Sequence, residues 1–144
     1  MEFSGKVGLS VGWITLFLMG IDLFVVSPLL PFISEAYNVS SAMTGWMVTV
    51  FAVTYAFSAP FFGWLSDKNG RRPLITFGLL LFVISNILTA FAPSFFWLIV
   101  SRILVGLSVA SIAPLIYAII GDIAPQNRTG TWLSILASGH LTAL

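Results

Sequence analysis

Two ionisable residues, Asp22 and Arg102, lie inside long apolar stretches of this chain. A charged side chain at the centre of a membrane-spanning helix costs about 2.5–3.5 kcal/mol on insertion scales. Such a side chain therefore faces a polar cavity or pairs with an opposite charge, and a carboxylate can also take up a proton. These two residue types in these positions indicate the coupling of protons or substrate in a membrane protein.

We interpret Asp22 as a proton- or substrate-coupling group; the alternative is a structural carboxyl group satisfied by a neighbouring helix. Arg102 stays charged, so its guanidinium needs acceptors. The candidates are Asp22, backbone carbonyls freed by Pro28 or Pro31, and water in a cavity. The alternative for Arg102 is snorkelling, in which its apolar stem carries the charge out to the membrane interface. We expect an inward-facing, functional arginine.

A compact charged segment, residues 63–73, separates the second apolar run from the third. It holds four charged residues of a chain that has six Lys and Arg and five Asp and Glu in total. Its glycines permit a tight turn or the close approach of a neighbouring helix, and its aspartate can accept hydrogen bonds from the arginines that follow. The alternative is that the charges serve only to set the membrane topology. The candidate residues are Gly63, Asp67, Gly70, Arg71 and Arg72.

The composition indicates which elements must position these residues. The chain of 144 residues is 58% hydrophobic and 8% charged, whereas soluble domains are about 25% charged. A spanning helix needs about 20 mostly apolar residues. We therefore predict an all-α, polytopic membrane helix bundle. The expected spans are residues 9–33, 42–65, 74–92 and 95–120, with a partial fifth at 131–144.

The distribution of lysine and arginine predicts the orientation of these spans. The breaks at residues 34–41 and 93–94 contain neither residue type, so every basic residue outside a span falls on one side. That side is the cytoplasm by the positive-inside rule. We expect a multi-pass protein of the cell membrane with a cytoplasmic N-terminus. The basic residues concerned are Lys6, Lys68, Arg71, Arg72 and Arg128.

Several functional classes are excluded by what the chain lacks. Its net charge of +1 and the absence of a basic stripe argue against nucleic acid as a partner. The sequence has no cysteine and one histidine, so a Cys-based or multi-His metal site is not expected. No nucleophile–base pair is apparent. We expect no catalytic residues, no metal and no cofactor, and hence no enzyme.

Other residues are interpreted through helix packing and bending. Gly106, four residues before an alanine, is expected on a close-packing face. Pro28 and Pro31 interrupt the backbone hydrogen bonds of the first helix, either as hinges or as static bends. Asn86 is expected to form a hydrogen bond between helices. A stripe of small hydroxyl residues on the fourth helix either packs helices or lines a pathway, and packing is the commoner use: Ser101, Ser108 and Ser111.

The charged segment resembles the signature loop of the major facilitator superfamily, written G-x-L-a-D-r-x-G-r-[KR]-x. The stretch from Arg102 to Gly106 is similar to the family's fourth-helix motif. The combination of Gly20-Ile21-Asp22 with Pro28 and Pro31 is similar to the first-helix motif of the drug:proton antiporter branch. The residues that match the loop motif are Gly63, Leu65, Asp67, Gly70, Arg71 and Arg72.

The resemblance implies a transporter that works by alternating access, with two six-helix halves rocking around a central cavity. Residues 1–144 would be an incomplete N-terminal half, with its first and fourth helices lining the cavity. The loop would act as a gate latch whose aspartate contacts the second half.

The expected activity is proton-coupled efflux of small molecules in a bacterial cell membrane. Its partners would be the lipid bilayer, a small-molecule substrate, protons and the missing C-terminal half. The alternative is a small helical membrane protein that oligomerises or assists assembly and does not transport.

Overall fold

The computed structural model describes residues 2–143. Within that range the chain forms five α-helices joined by short turns, and no strand occurs. Four of them, α1 to α4, are long and apolar enough to cross a membrane. The predicted fold class, an all-α polytopic membrane helix bundle, is confirmed. The helices are α1 (Glu2–Tyr37), α2 (Ser41–Asn69), α3 (Arg71–Ala90), α4 (Phe95–Ile123) and α5 (Thr129–Leu141).

The helices extend beyond most of the apolar runs from which they were predicted. Helix α1 has 36 residues, and α2 and α4 have 29 each. At 1.5 Å per residue these are about 54 Å and 44 Å long, against about 30 Å of hydrocarbon. Polar residues at the edges of a span thus remain helical, because a helix need not end where the membrane does. Two helices are shorter than predicted at their C-terminal ends: α3 ends at Ala90 and α5 at Leu141.

The turn between α1 and α2 is defined by local capping. Asn38 adopts a left-handed conformation with φ of 52°, which asparagine tolerates better than most residues. The hydroxyl of Ser40 accepts a hydrogen bond from the backbone N–H of Met43 at 3.3 Å and so caps the N-terminus of α2. Three residues therefore suffice to connect two long helices.

The chain divides into two compact units, which are described separately. The first comprises the residues up to Val25 together with those from Leu115 onward. Within it, small residues of α1 allow close contact with the end of α4 and with α5. A Cβ atom added at Gly12 would lie 3.1 Å from Ile116 Cγ2 and 3.2 Å from Leu136 Cδ2. Such spacing lets helix backbones approach where larger side chains would separate them.

Helix α5 is further held to α1 by a polar contact. The indole N–H of Trp13 donates a hydrogen bond to Ser138 Oγ at 3.1 Å. Beside it, a Cβ atom on Gly139 would lie 2.9 Å from the backbone oxygen of Trp13. About two helical turns further along α1, a Cβ atom on Gly20 would lie 2.7 Å from the Cβ atom of Ala143, just beyond the end of α5. The short fifth helix therefore packs along α1 within this unit.

The second unit, Val26–Pro114, contains α2, α3 and the first two-thirds of α4. Here α4 is the central helix. A Cβ atom on its Gly106 would lie 3.0 Å from the backbone oxygen of Phe51 and 3.0 Å from Thr54 Cβ, both on α2. On α3, Gly78 faces α4, where its Cβ atom would meet Ser111 Oγ and Ile112.

The serine stripe of α4 lies inside this unit. Ser101, Ser108 and Ser111 are fully buried. Each hydroxyl donates to a backbone carbonyl three residues earlier, at 2.7 to 2.8 Å. A serine satisfied by its own helix can pack without leaving an unpaired polar group. This arrangement agrees with the packing interpretation of the stripe.

Candidate functional site

The charged segment is mostly helical, which differs from the polar break expected at residues 66–73. Helix α2 continues to Asn69 and α3 begins at Arg71, so Gly70 is the only residue between them. Gly70 has φ of 82° and ψ of 158°, a combination that is essentially restricted to glycine. Its backbone N–H donates to the carbonyl of Ser66 at 2.9 Å and closes the last turn of α2.

Three of the four charges around Gly70 are placed unfavourably with respect to the helix dipoles, and Lys68 in the last turn of α2 is the exception. Asp67 lies in the last turn of α2, where the partial charge is negative, and Arg71 and Arg72 lie in the first turn of α3, where it is positive. Each such placement is unfavourable by typically 0.3–1 kcal/mol at an exposed helix end. The helix dipoles therefore do not account for these three charges.

The side chains of the charged segment differ in solvent exposure. Asp67 and Arg72 are exposed, whereas Arg71 is half-buried. The Lys68 ammonium lies 4.1 Å from the centre of the Trp64 ring, a cation–π contact typical of a membrane interface. The expected close approach at Gly63 does not occur within the described residues, since no atom there lies within 4 Å of a Cβ built on it.

Asp22 lies near the middle of α1, in the first compact unit, and its side chain is half-buried. It follows Gly20, whose face of α1 contacts α5. Since successive residues of a helix are 100° apart, Asp22 projects from a different face than Gly20. The two residues are about 200° apart around the helix axis, so the carboxyl group lies on nearly the opposite face of α1 from the contact with α5.

Arg102 is buried in the second unit, with 3% of its surface exposed. Its Nη2 donates to Thr89 Oγ1 on α3 at 3.3 Å. The hydroxyl of Thr89 in turn donates to the carbonyl of Ser85 at 2.9 Å. The snorkelling alternative required an exposed guanidinium, so the burial argues against it.

Thr89 is an acceptor that the sequence did not suggest. Helical side chains lean toward the N-terminus of their own helix. Arg102 therefore reaches back along α4 toward the turn that joins it to α3, and Thr89 is the penultimate residue of α3. This lean, applied to two antiparallel neighbouring helices, is the signal that could have identified the contact.

The remaining expectations have mixed outcomes. Pro28 and Pro31 are exposed and lie within α1, which continues as a helix through both. The amide of Asn86 donates to the carbonyl of Phe82 in its own helix at 2.9 Å, contrary to the expected bond between helices. Among the described residues, no group of three His, Cys, Asp or Glu is placed to hold a metal ion.

Comparison with known proteins identifies the family. The family model of the Major Facilitator Superfamily matches residues 12–143. The chain belongs to this superfamily. Members of the superfamily are transporters rather than enzymes, which agrees with a multi-pass protein whose unusual polar residues lie within spanning helices.

Curated members of the superfamily from several bacteria are similar to the chain. The uncharacterised MFS-type transporter YceJ of Bacillus subtilis is 35% identical over 124 residues, covering 86% of this chain and 32% of the relative. The galactose-proton symporter of Escherichia coli is 34% identical over 118 residues, covering 82% and 25%. The multi-drug resistance efflux pump PmrA of Streptococcus pneumoniae is 32% identical over 142 residues, covering 96% and 35%. The chain thus spans between 25% and 35% of the length of these relatives.

Proposed function

We propose that the chain is the N-terminal part of a proton-coupled transporter that exports small molecules by alternating access. The observation that carries the proposal is the placement of ionisable side chains inside spanning helices, with Asp22 half-buried in α1 and Arg102 buried in α4. Charges at such depth are expensive in a membrane and are retained where they serve transport.

Export is proposed over import because of the first-helix motif around Asp22 and the extent of the similarity to an efflux pump. The match to PmrA covers 96% of the chain, against 82% for the galactose-proton symporter. The substrate class proposed is small molecules, with protons as the coupled ion and a C-terminal half as the partner that completes the transporter.

In this proposal each feature has one role. Asp22 takes up and releases the coupled proton, and Arg102 supplies a fixed positive charge that tunes coupling. Pro28 and Pro31 provide points at which α1 can bend. The segment around Gly70 acts as a cytoplasmic gate, formed by Gly63, Asp67, Gly70, Arg71 and Arg72.

The direct test is transport by the product of the complete open reading frame that encodes this sequence. Everted membrane vesicles, whose cytoplasmic face is turned outward, should show uptake of a fluorescent cationic dye from the medium when a proton gradient, acidic inside, is imposed. A protonophore should abolish it, and vesicles without the protein provide the background. Movement that persists without a proton gradient contradicts proton coupling. Dye movement at background level contradicts export of such compounds and favours the non-transporting assembly module.

A second prediction concerns the orientation and the gate. The chain has no cysteine, so single cysteines can be introduced without removing native ones. Asn69→Cys and Asn38→Cys form a matched pair, because both residues are exposed, Asn69 is the last residue of α2 and Asn38 lies in the turn that precedes α2. In intact cells a membrane-impermeant maleimide should label position 38 and leave position 69 unlabelled.

The same pair tests the gate once inside-out vesicles make position 69 accessible. A bulky maleimide at position 69 should slow transport, whereas the same label placed at position 38 before the vesicles are formed should have little effect. Labelling of position 69 in intact cells would contradict the orientation. Equal transport rates for labelled and unlabelled Asn69→Cys would contradict the gating role.

A further inference from the structure

Thr89 is one hydrogen-bond partner of Arg102, the one basic side chain that is buried among the described residues. Its Oγ1 has one hydrogen, which it donates to the carbonyl of Ser85 at 2.9 Å. The oxygen lone pairs are thereby left for an incoming donor. Arg102 has only donors on its guanidinium, and its Nη2 lies 3.3 Å from that oxygen.

The orientation of the Thr89 hydroxyl is fixed by the hydrogen bond that it donates within α3. A threonine that donates to the carbonyl four residues earlier is held in one rotamer. Ser85, which provides that carbonyl, is fully buried, so the acceptor cannot move freely. The contacts from Arg102 through Thr89 to the backbone of α3 therefore give the guanidinium a fixed point on α3.

The same helix provides an internal comparison. Thr76 forms the equivalent bond to its own helix, with Oγ1 donating to the carbonyl of Arg72 at 3.1 Å, but at an exposed position. The backward bond alone is thus an ordinary feature of a threonine in a helix. Thr89 differs from Thr76 because its oxygen also accepts a hydrogen bond from the guanidinium of the buried Arg102.

We infer that Thr89 is a positioning residue for Arg102, holding the guanidinium at one place between α3 and α4 so that its charge tunes proton coupling. The inference rests on the proposed function for its consequence in transport, and on the geometry alone for the placement of the arginine. Thr89 acts through Arg102 and is assigned no contact with proton or substrate.

The test uses three variants of the complete transporter. Thr89→Val keeps the shape of the side chain and removes the acceptor, whereas Thr89→Ser keeps the hydroxyl. Thr76→Val makes the same change as Thr89→Val on the same helix, at a threonine outside the contact with the Arg102 guanidinium. The first readout is independent of transport: modification of Arg102 by phenylglyoxal, quantified by mass spectrometry of the peptide that contains it. The second readout is the pH profile of proton-driven efflux.

Thr89→Val should increase the modification rate of Arg102 by about two- to tenfold, the population change that the loss of one hydrogen bond permits. It should also displace the pH profile of efflux. Thr89→Ser and Thr76→Val should match the wild type in both readouts. Should Thr89→Val fail to accumulate in the membrane, Thr89→Ala replaces it with the same expectation, because a smaller side chain cannot overpack the site.

The outcomes separate this inference from the proposed function. If the wild type moves no substrate, the proposed function fails and the modification rates alone decide whether Thr89 places Arg102. If the wild type is active and Thr89→Val leaves either readout unchanged, the positioning role is overturned while the transport function stands. Equal effects of Thr89→Val and Thr76→Val also overturn it, since they would show a general effect of losing a hydroxyl from α3.

Discussion

Replacing Asp22 with asparagine is expected to abolish proton-driven efflux while leaving membrane insertion intact. The amide has nearly the same shape as the carboxyl group but cannot take up or release a proton in the physiological range. The substitution also removes a charge from α1, which favours insertion because a carboxylate at the centre of a spanning helix is unfavourable. The measurement is the initial rate of gradient-driven dye movement, which should fall to the background of vesicles without the protein.

Two control variants make the Asp22 prediction specific. Asp22→Glu retains a titratable group and should keep part of the activity. Glu35→Gln removes a carboxylate from the same helix at an exposed position near its end, and should have little effect. The coupling role would be refuted if Asp22→Asn transported at the wild-type rate, or if Glu35→Gln lost as much activity as Asp22→Asn.

Replacing Gly78 with alanine is expected to cause the largest loss of stability among the small substitutions in the second unit. The added Cβ would meet Ser111 Oγ and would lie 2.5 Å from Ile112 Cγ1, so either these two side chains must shift or α3 and α4 must separate. Overpacking of this kind costs about 1–3 kcal/mol. The measurement is thermal unfolding of the detergent-solubilised protein, in which Gly78→Ala should lower the Tm.

The matched control for Gly78 is Gly45→Ala on α2. No atom lies within 4 Å of a Cβ built on Gly45, so the same chemical change adds no contact. It should leave the Tm unchanged or raise it, since alanine is favoured over glycine in a helix by about 1 kcal/mol. A Gly78→Ala protein as stable as Gly45→Ala would contradict the close packing of α3 on α4.

The elements of this fold follow from sequence because hydropathy and chain length act locally. Each of the four apolar runs is long enough to span a bilayer, and each coincides with a helix for all or nearly all of its length. The helix ends were harder to predict, since Asp67 and Arg71 were read as belonging to a loop and are helical. Charge predicts where a segment meets water, and it does not determine whether the backbone there stays helical.

The partners of individual side chains could not be predicted in the same way. That Arg102 needs an acceptor follows from its charge, but Thr89 as that acceptor depends on the register of α3 against α4. Likewise, Ser111 stood out as part of a polar stripe, whereas nothing in the sequence marked Gly78 as the residue that accommodates it. Asn86 bonds within its own helix, because a nearby carbonyl four residues back is always within reach.

The single-residue joint at Gly70 has a mechanical consequence. Between the end of α2 and the start of α3 there are only two freely rotating backbone bonds, those of one glycine. No flexible linker separates the two helices. A tilt of either helix must therefore change φ or ψ of Gly70 or move the other helix with it. The two helices thus behave as a stiff elbow, and force applied at one of them is delivered to the other.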